Sequence, residues 1–286
     1  MDTNRTIAEA RTWFAEDIRA AAPVRNDASI VDAFARVPRE HYLGAGPWRI
    51  QPRQLDRPAY DSPNADPRHI YHDVLVSIDA DRDLNNGLPS LWAYYFDHLR
   101  IRPGATVLQV GAGVGYFTAI LAELAGPTGR VIAYEIDASL AARAERNLQS
   151  YPNVEVIAGN ATAAADLPAL HAVAAFAGAT RIPDLWLSKL ASGGRMAIPF
   201  TGEDRWGFML LIERSGDDFA ATALGSCGFY HCGGARTPDE AAALHAALAA
   251  HDGKAPALGR LYRGQPQQND PGVWYRGDGF WLSKAA

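Results

Sequence analysis

The chain has 286 residues, of which 48% are hydrophobic and 21% charged, with a formal net charge of −5. This is an ordinary globular composition, long enough for one large domain with appendages. It lacks the clustered Lys and Arg that nucleic-acid phosphates require and any apolar run long enough to span a bilayer. Its only two cysteines, Cys227 and Cys232, exclude a disulfide framework. Without His partners at ligand spacing they make no zinc site either, and no metal is expected.

Residues 4–22 are expected to form a helix, with Ile7, Ala10, Phe14 and Ile18 near helical spacing. This N-terminal stretch is amphipathic, contains acids and lacks the apolar core of a signal peptide. With two unpaired thiols, that points to the cytoplasm. Residues 27–37 read as a second helix, ended by Pro38. Residues 44–67 are rich in Pro, Asp and Arg and read as loop. Residues 71–78 are strand-like and 89–99 helical. Between them lies Asn85-Asn86-Gly87, a strong turn signal.

Residues 106–137 carry the most specific pattern, TVLQVGAGVGYFTAILAELAGPTGRVIAYEID. Val107, Leu108 and Val110 suit a buried parallel strand. Gly111, Gly113 and Gly115 follow at once, and glycines allow a sharp turn and close approach of a ligand. Residues 116–125 read as helix, stopped by Gly126-Pro127, and residues 131–134 as the next strand. Glu135 stands at that strand's carboxyl end, where ligands sit in open α/β sheets and where a carboxylate can hold both hydroxyls of a ribose. The glycine spacing is not the dinucleotide fingerprint G-x-G-x-x-G, because Tyr116 fills the place of its third glycine.

Helices are expected at 138–150 and 183–190, and strands at 154–157, 172–176 and 195–198. Residues 208–213 and 220–224 are expected to pair as the last, antiparallel strands. An alanine-rich helix follows 237, then a tail dense in Trp274, Tyr275, Phe280 and Trp281. That tail reads as packing across the back of the core, with a substrate lid or an interaction surface as the other readings. The expected organisation is an N-terminal helical and loop segment at 1–75, a cofactor-binding domain at 76–236 and a C-terminal extension at 237–286.

The glycine pattern resembles motif I of class I S-adenosylmethionine methyltransferases. Gln109 stands where that family usually has an acid. Val37-Pro38-Arg39, Asn153-Val154-Glu155-Val156 and Gly159-Asn160-Ala161 are more particular. So is the run Ile182-Pro183…Leu187…Leu190…Gly193-Gly194-Arg195-Met196-Ala197-Ile198-Pro199. Together they resemble the protein-L-isoaspartate O-methyltransferase family over roughly residues 28–236. The resemblance implies an α/β, class I Rossmann-like sheet with helices on both faces and a displaced final strand. It also implies S-adenosyl-L-methionine as cofactor, leaving as S-adenosyl-L-homocysteine. The implied cofactor contacts are Gln109, Gly111, Ala112, Gly113, Gly115, Tyr116, Glu135, Ile136, Asn160 and Ala161. Asn160 stands in for the acid that accepts from the adenine amino group; it also reads as a plain turn residue.

The chain departs from the family at the acceptor loop, where Asn85-Asn86-Gly87-Leu88-Pro89 replaces T-I-S-x-P. Gly87 takes the place of the active-site serine. This loop and the aromatic tail resemble a divergent branch that modifies carboxylates in ribosomally made peptides. The implied reaction is methylation of an aspartyl or isoaspartyl carboxylate of a peptide or protein, with Asn85, Asn86 and Gly87 as candidate catalytic residues. Methylation of a small-molecule acid and a catalytically silent relative are the alternatives. His69, Tyr71 and His72 are weaker candidates for lining the acceptor side. No membrane or nucleic-acid partner is expected, and the oligomeric state is not legible from the sequence.

Overall fold

The computed structural model describes residues 3–54, 56–267 and 270–285; Met1, Asp2, Leu55, Gln268, Asn269 and Ala286 lie outside the described residues. The chain divides into two units that alternate along the sequence. Met1–Gly104, Ala112–Arg130 and Ser139–Val156 make the first, and Ala105–Gly111, Val131–Ala138 and Ile157–Ala286 the second.

In the first unit, α1 (Thr3–Ala21) and α2 (Ser29–Arg36) bury Phe14, Ile18, Ile30 and Phe34. Their joint is closed by the buried Asp97, whose carboxylate accepts from the backbone N–H groups of Arg25, Asn26 and Asp27 at 3.0, 2.8 and 2.9 Å. A short α3 (Glu40–Leu43) follows. The segment expected to be loop then carries two short strands, β1 (Arg49–Gln51) and β2 (Tyr60–Asp61). Both join β3 (Leu75–Asp79) and β4 (Leu84–Asn85) in a four-stranded sheet of order β2-β1-β3-β4. Ile50, fully buried between polar chain neighbours, pairs with both Tyr60 and the fully buried Val76 and ties β1 into the sheet.

The strand expected from residue 71 starts only at Leu75, after a single 3-10 turn at Pro67–Ile70. Arg39 supplies the physical reason. Its fully buried guanidinium donates to the carbonyls of Ile70, His72 and Val74 at 2.8, 3.1 and 2.8 Å. The acceptors a strand partner would use are therefore already taken. Burial lowers the Arg39 pKa from its usual value, while the rings of Phe14 and Tyr116 lie 5.8 and 5.7 Å from the cation. The unit is completed by α4 (Pro89–Leu99), α5 (Tyr116–Ala125) and α6 (Ala138–Asn147). Phe117 of α5 sits at an aromatic junction with Phe34, Trp92 and Phe96, at centroid distances of 6.4, 5.9 and 6.2 Å.

The second unit carries a ten-stranded sheet, built from β5 (Thr106–Val110), β6 (Arg130–Glu135), β7 (Val154–Ala158), β8 (Leu170–Ala175) and β9 (Leu190–Thr201). Its other strands are β10 (Trp206–Ser215), β11 (Asp218–Gly228), β12 (Leu258–Arg263), β13 (Val273–Gly277) and β14 (Phe280–Lys284). The order is β13-β14-β12-β11-β10-β9-β8-β5-β6-β7. β8 runs parallel to both β5 and β9, and from β9 outward the pairings are antiparallel. β11 lies outside β10 rather than between β9 and β10, the displacement from the usual class I order that the family resemblance implies. Strand order reverses between β5 and β8, the point where α/β sheets open a crevice at their carboxyl ends.

Two helices, α7 (Asp184–Lys189) and α8 (Pro238–Ala249), also belong to this unit. Residues 208–213 and 220–224 pair antiparallel as expected. They are not the last strands, however, because β12, β13 and β14 extend the sheet beyond them. The tail packs: Trp274, Tyr275 and Phe280 are buried, and Phe200 meets Tyr275 and Phe280 at 6.0 Å each. Its signal was Asp278-Gly279 between alternating residues, a hairpin turn dipeptide.

Candidate active site

In the second unit, three strand ends gather the sheet-side residues. Backbone hydrogen bonds continue past the strands: Gly111 N–H donates to Tyr134 O, Phe176 N–H to Val110 O and Gly159 N–H to Glu135 O, each at 2.8 Å. These bonds hold Gly111, Glu135 and Gly159 at the carboxyl edge. Glu135 is only 7% exposed, and its Oε1 accepts from Asp137 N–H at 3.0 Å. Ile136 beside it is 64% exposed, an unusual position for so large an aliphatic and one that suits an apolar ligand face. Gln109 is fully buried. Its Nε2 makes only a long 3.4 Å bond to Gly111 O, and its Oε1 meets no partner among the described residues.

Asn160 caps the 3-10 turn Ala161–Ala163. Its Oδ1 accepts from both Thr162 N–H and Thr162 Oγ1, each at 2.9 Å. Both lone pairs are thus engaged, and the group Asn160 offers a ligand is its Nδ2 donor rather than the acceptor expected from the sequence. Ala161 is buried, and its carbonyl accepts from Trp186 Nε1 at 3.3 Å. The Gly233-Gly234 segment borders the same residues, since a Cβ on Gly233 would lie 3.0 Å from Ile136 Cδ1 and one on Gly234 2.1 Å from Thr162 Oγ1. This border was missed in the sequence, where a Gly-Gly pair signals a turn but not what the turn approaches.

In the first unit, the chain continues from Gly111 through Ala112 to Tyr116. The turn glycines 111, 113 and 115 have φ of 88°, 56° and 92°, the left-handed region that side chains avoid. At Gly115 the packing is as demanding as the backbone, because a Cβ would lie 2.8 Å from Leu148 Cδ1. Tyr116 opens α5 with its ring turned inward against Tyr42 and Phe34, at 5.7 and 6.3 Å, and fully buried. Burial raises its pKa, so the phenol stays neutral. Only its backbone faces the turn.

The same unit holds the acceptor-loop residues. Ser77 pairs with Asn85 across the β3–β4 hairpin, and Asn86 N–H donates to Val76 O at 2.8 Å. Asn85 Oδ1 accepts from Gly87 N–H at 2.9 Å, a local turn bond. Asn86 differs: it is 9% exposed, and its Nδ2 meets no hydrogen-bond partner among the described residues. Gly87 has φ of +81°, and a Cβ there would lie 3.2 Å from both Phe117 Cε2 and Trp92 Nε1. These two contacts put the loop against the first turns of α4 and α5. Ile78 Cδ1, from the same hairpin, lies 3.8 Å from a Cβ placed on Gly113.

The weaker candidates fall away from this cluster. Tyr71 is a core residue donating to Glu40, His69 Nε2 is 3.0 Å from Asn64 Oδ1, and His72 is exposed. Among the described residues no group of His, Cys, Asp and Glu is arranged to hold a metal ion, and no helix is long and apolar enough to cross a membrane.

Comparison with known proteins fits this geometry. The family model described as protein-L-isoaspartate(D-aspartate) O-methyltransferase matches residues 53–234. The protein-L-isoaspartate O-methyltransferase of Methanothrix thermoacetophila is 34% identical over 199 residues, covering 68% of this chain and 84% of its own. That of Methanothermobacter thermautotrophicus is 28% identical over 227 residues, covering 78% and 94%. Among solved structures, a protein-L-isoaspartate O-methyltransferase superposes with a TM-score of 0.64 at 18% identity, over 98% of this chain and 88% of its own. One from Plasmodium falciparum, assigned to the same activity and in complex with S-adenosyl-L-homocysteine, gives 0.61 at 19% identity, over 78% and 97%. With the glycine turn, the carboxylate at the end of β6 and the displaced final strand, the match over residues 53–234 places this chain in the protein-L-isoaspartate(D-aspartate) O-methyltransferase family.

Proposed function

We propose that the chain transfers the methyl group of S-adenosyl-L-methionine to an aspartyl or isoaspartyl carboxylate of a peptide or protein. Family membership supports the chemistry. One observation carries the acceptor side: Asn86 Nδ2 is a buried donor without a partner among the described residues, on the hairpin beside the glycine turn. A buried amide donor left unmade costs about 1–3 kcal/mol, and a substrate carboxylate oxygen is the acceptor that offsets it.

The residues fit the cofactor. Gly111, Gly113 and Gly115 hold left-handed φ and carry no side chain, so a ligand can approach the turn's backbone closely. Gln109 Oε1, a buried acceptor without a partner among the described residues, suits an ammonium group. Glu135 suits the ribose hydroxyls, Ile136 the adenine face and Asn160 Nδ2 a ring nitrogen. Ala112, Tyr116 and Ala161 contribute through backbone. When bound, the cofactor supplies a methyl carried on a sulfonium, which an oxygen nucleophile takes by in-line displacement.

A carboxylate is already ionised at neutral pH, so no strong base is needed. The work left to the protein is to hold an oxygen roughly 3 Å from the methyl and to exclude water. Asn86 serves that purpose as a neutral donor: it orients the oxygen without the ground-state stabilisation an Arg or Lys would add. Asn85 shapes the turn that presents Asn86. Two free, buried cysteines support a cytoplasmic setting.

The test is to incubate the protein with methyl-labelled cofactor and matched peptides containing aspartate or isoaspartate, then assay base-labile label. Label on either peptide is expected. Label only on small acids, or cofactor binding without transfer to any acceptor, overturns the reading. N86A is expected to lower kcat/KM for the peptide by about ten-fold and to leave S-adenosyl-L-homocysteine affinity unchanged.

A further inference from the structure

The donor turn and the acceptor hairpin are tied to one helix of the first unit, by bonds that no cofactor or acceptor role requires. Arg143 and Asn147 stand four residues apart on α6 and therefore share a face. Asn147 Nδ2 donates to Val114 O at 2.9 Å. Val114 is fully buried between Gly113 and Gly115, both with left-handed φ. One turn earlier, Arg143 Nη1 donates to Ile78 O at 3.1 Å. Ile78 belongs to β3, whose Ser77 pairs with Asn85 and whose Val76 carbonyl holds Asn86 N–H.

The two anchors also meet through packing. Ile78 Cδ1 lies 3.8 Å from a Cβ placed on Gly113, and a Cβ on Gly115 would lie 2.8 Å from Leu148 Cδ1 and 3.4 Å from Ala144 Cα, both beside the same face of α6. The turn's backbone is glycine-rich and has little conformational preference of its own. Beside the turn's own Gly115 N–H to Ala112 O bond at 2.9 Å, Asn147 Nδ2 adds a side-chain anchor from α6.

We propose that Arg143 and Asn147 are positioning residues: α6 fixes the donor turn through Asn147 and the acceptor hairpin through Arg143, so that filling the turn orders Asn85–Gly87. Neither residue touches a reacting atom. Ordering is transmitted because both loops bond to one rigid helix, and a shift in either changes the strain felt by the other. The inference rests on the reading that the glycine turn binds the methyl donor.

The experiment measures S-adenosyl-L-homocysteine affinity by calorimetry and amide exchange of residues 84–88 with and without that ligand, on the full chain. In the wild type, ligand is expected to slow exchange at 84–88. N147A is expected to weaken ligand binding by about five- to ten-fold, the value of one hydrogen bond. N147D, nearly isosteric, is expected to be worse than N147A at pH 8, where a carboxylate faces the Val114 carbonyl, and to recover as the pH falls and the acid becomes a donor. A packing role alone would leave N147D close to wild type. R143A is expected to keep ligand affinity within about two-fold yet lose the ligand-induced protection at 84–88, and R143K to restore part of it. N147D binding like wild type, or R143A keeping full protection, overturns the proposal. A wild-type protein that binds no S-adenosyl-L-homocysteine would instead overturn the functional reading beneath it.

Discussion

Removing the Glu135 carboxylate is the sharpest test of the sheet-side site. The side chain is 7% exposed, so its charge is largely desolvated and depends on hydrogen-bond donors. The structure supplies one at Oε1, the Asp137 N–H at 3.0 Å. Two vicinal ribose hydroxyls donating to this carboxylate would form two charge-assisted bonds, each worth about 1.5–3 kcal/mol. Their geometry in a folded site recovers part of that sum, so Glu135→Ala is expected to cost about 3–4 kcal/mol of binding, roughly 100- to 1000-fold in S-adenosyl-L-homocysteine affinity. Glu135→Gln keeps an acceptor but not the charge and is expected to lose about ten-fold. Folding loses the Asp137 cap among its bonds, about 1 kcal/mol for that bond, so thermal melting should show a cooperative transition at lower temperature. Calorimetric titration of each variant at equal folded concentration reads the effect. A folded E135A that binds S-adenosyl-L-homocysteine within about three-fold of wild type would refute the assignment.

Three other outcomes follow from the geometry. Restoring the family serine with Gly87→Ser is expected to lower peptide methylation and stability rather than raise activity, because φ of +81° and the 3.2 Å approaches to Phe117 and Trp92 cost about 1–3 kcal/mol; steady-state kinetics with isoaspartyl peptide check it. Arg39→Met removes the donor shared by one buried and two part-buried carbonyls and is expected to destabilise by about 2–4 kcal/mol, read as a denaturation midpoint shift. Burial pushes the Cys232 thiol up to about 11, so at pH 8 only about one molecule in a thousand carries the thiolate. Iodoacetamide should therefore leave Cys232 unmodified in the native protein and label it on unfolding. Rapid native labelling would show that this region opens.

The strand, glycine turn, helix and strand of the core were legible element by element because they are local. A buried strand, three glycines, a helix and a second strand ending in Glu135 follow one another in 32 consecutive positions of the sequence, and each element is set by its own periodicity. The segment of residues 182–199 was nearly as legible, although β9 begins at Leu190, several residues before the expected strand. Its register against β8 jumps between Leu170 and Ala172, from Leu190 to Arg195, so the glycine turn is absorbed as a bulge. The tail was less legible. Its aromatics suggested either a lid or packing, and the choice depended on whether Phe200, far off in sequence, would meet them.

By itself the sequence determined the class of sheet, the glycine turn, the acid at the end of β6 and the absence of a serine at position 87, because these are properties of short segments and of single residue types. Tertiary structure alone decided which polar groups remain unpaired. Asn85 and Asn86 are adjacent and identical in chemistry, yet the carbonyl oxygen of one is engaged by Gly87 N–H and the amide nitrogen of the other is buried without a partner among the described residues. Arg39, which the sequence shows only as the end of Val37-Pro38-Arg39, becomes the donor that holds residues 70–74 out of a strand. A hydrogen-bond partner is chosen by what the fold brings within about 3 Å, and that distance is not written in local spacing.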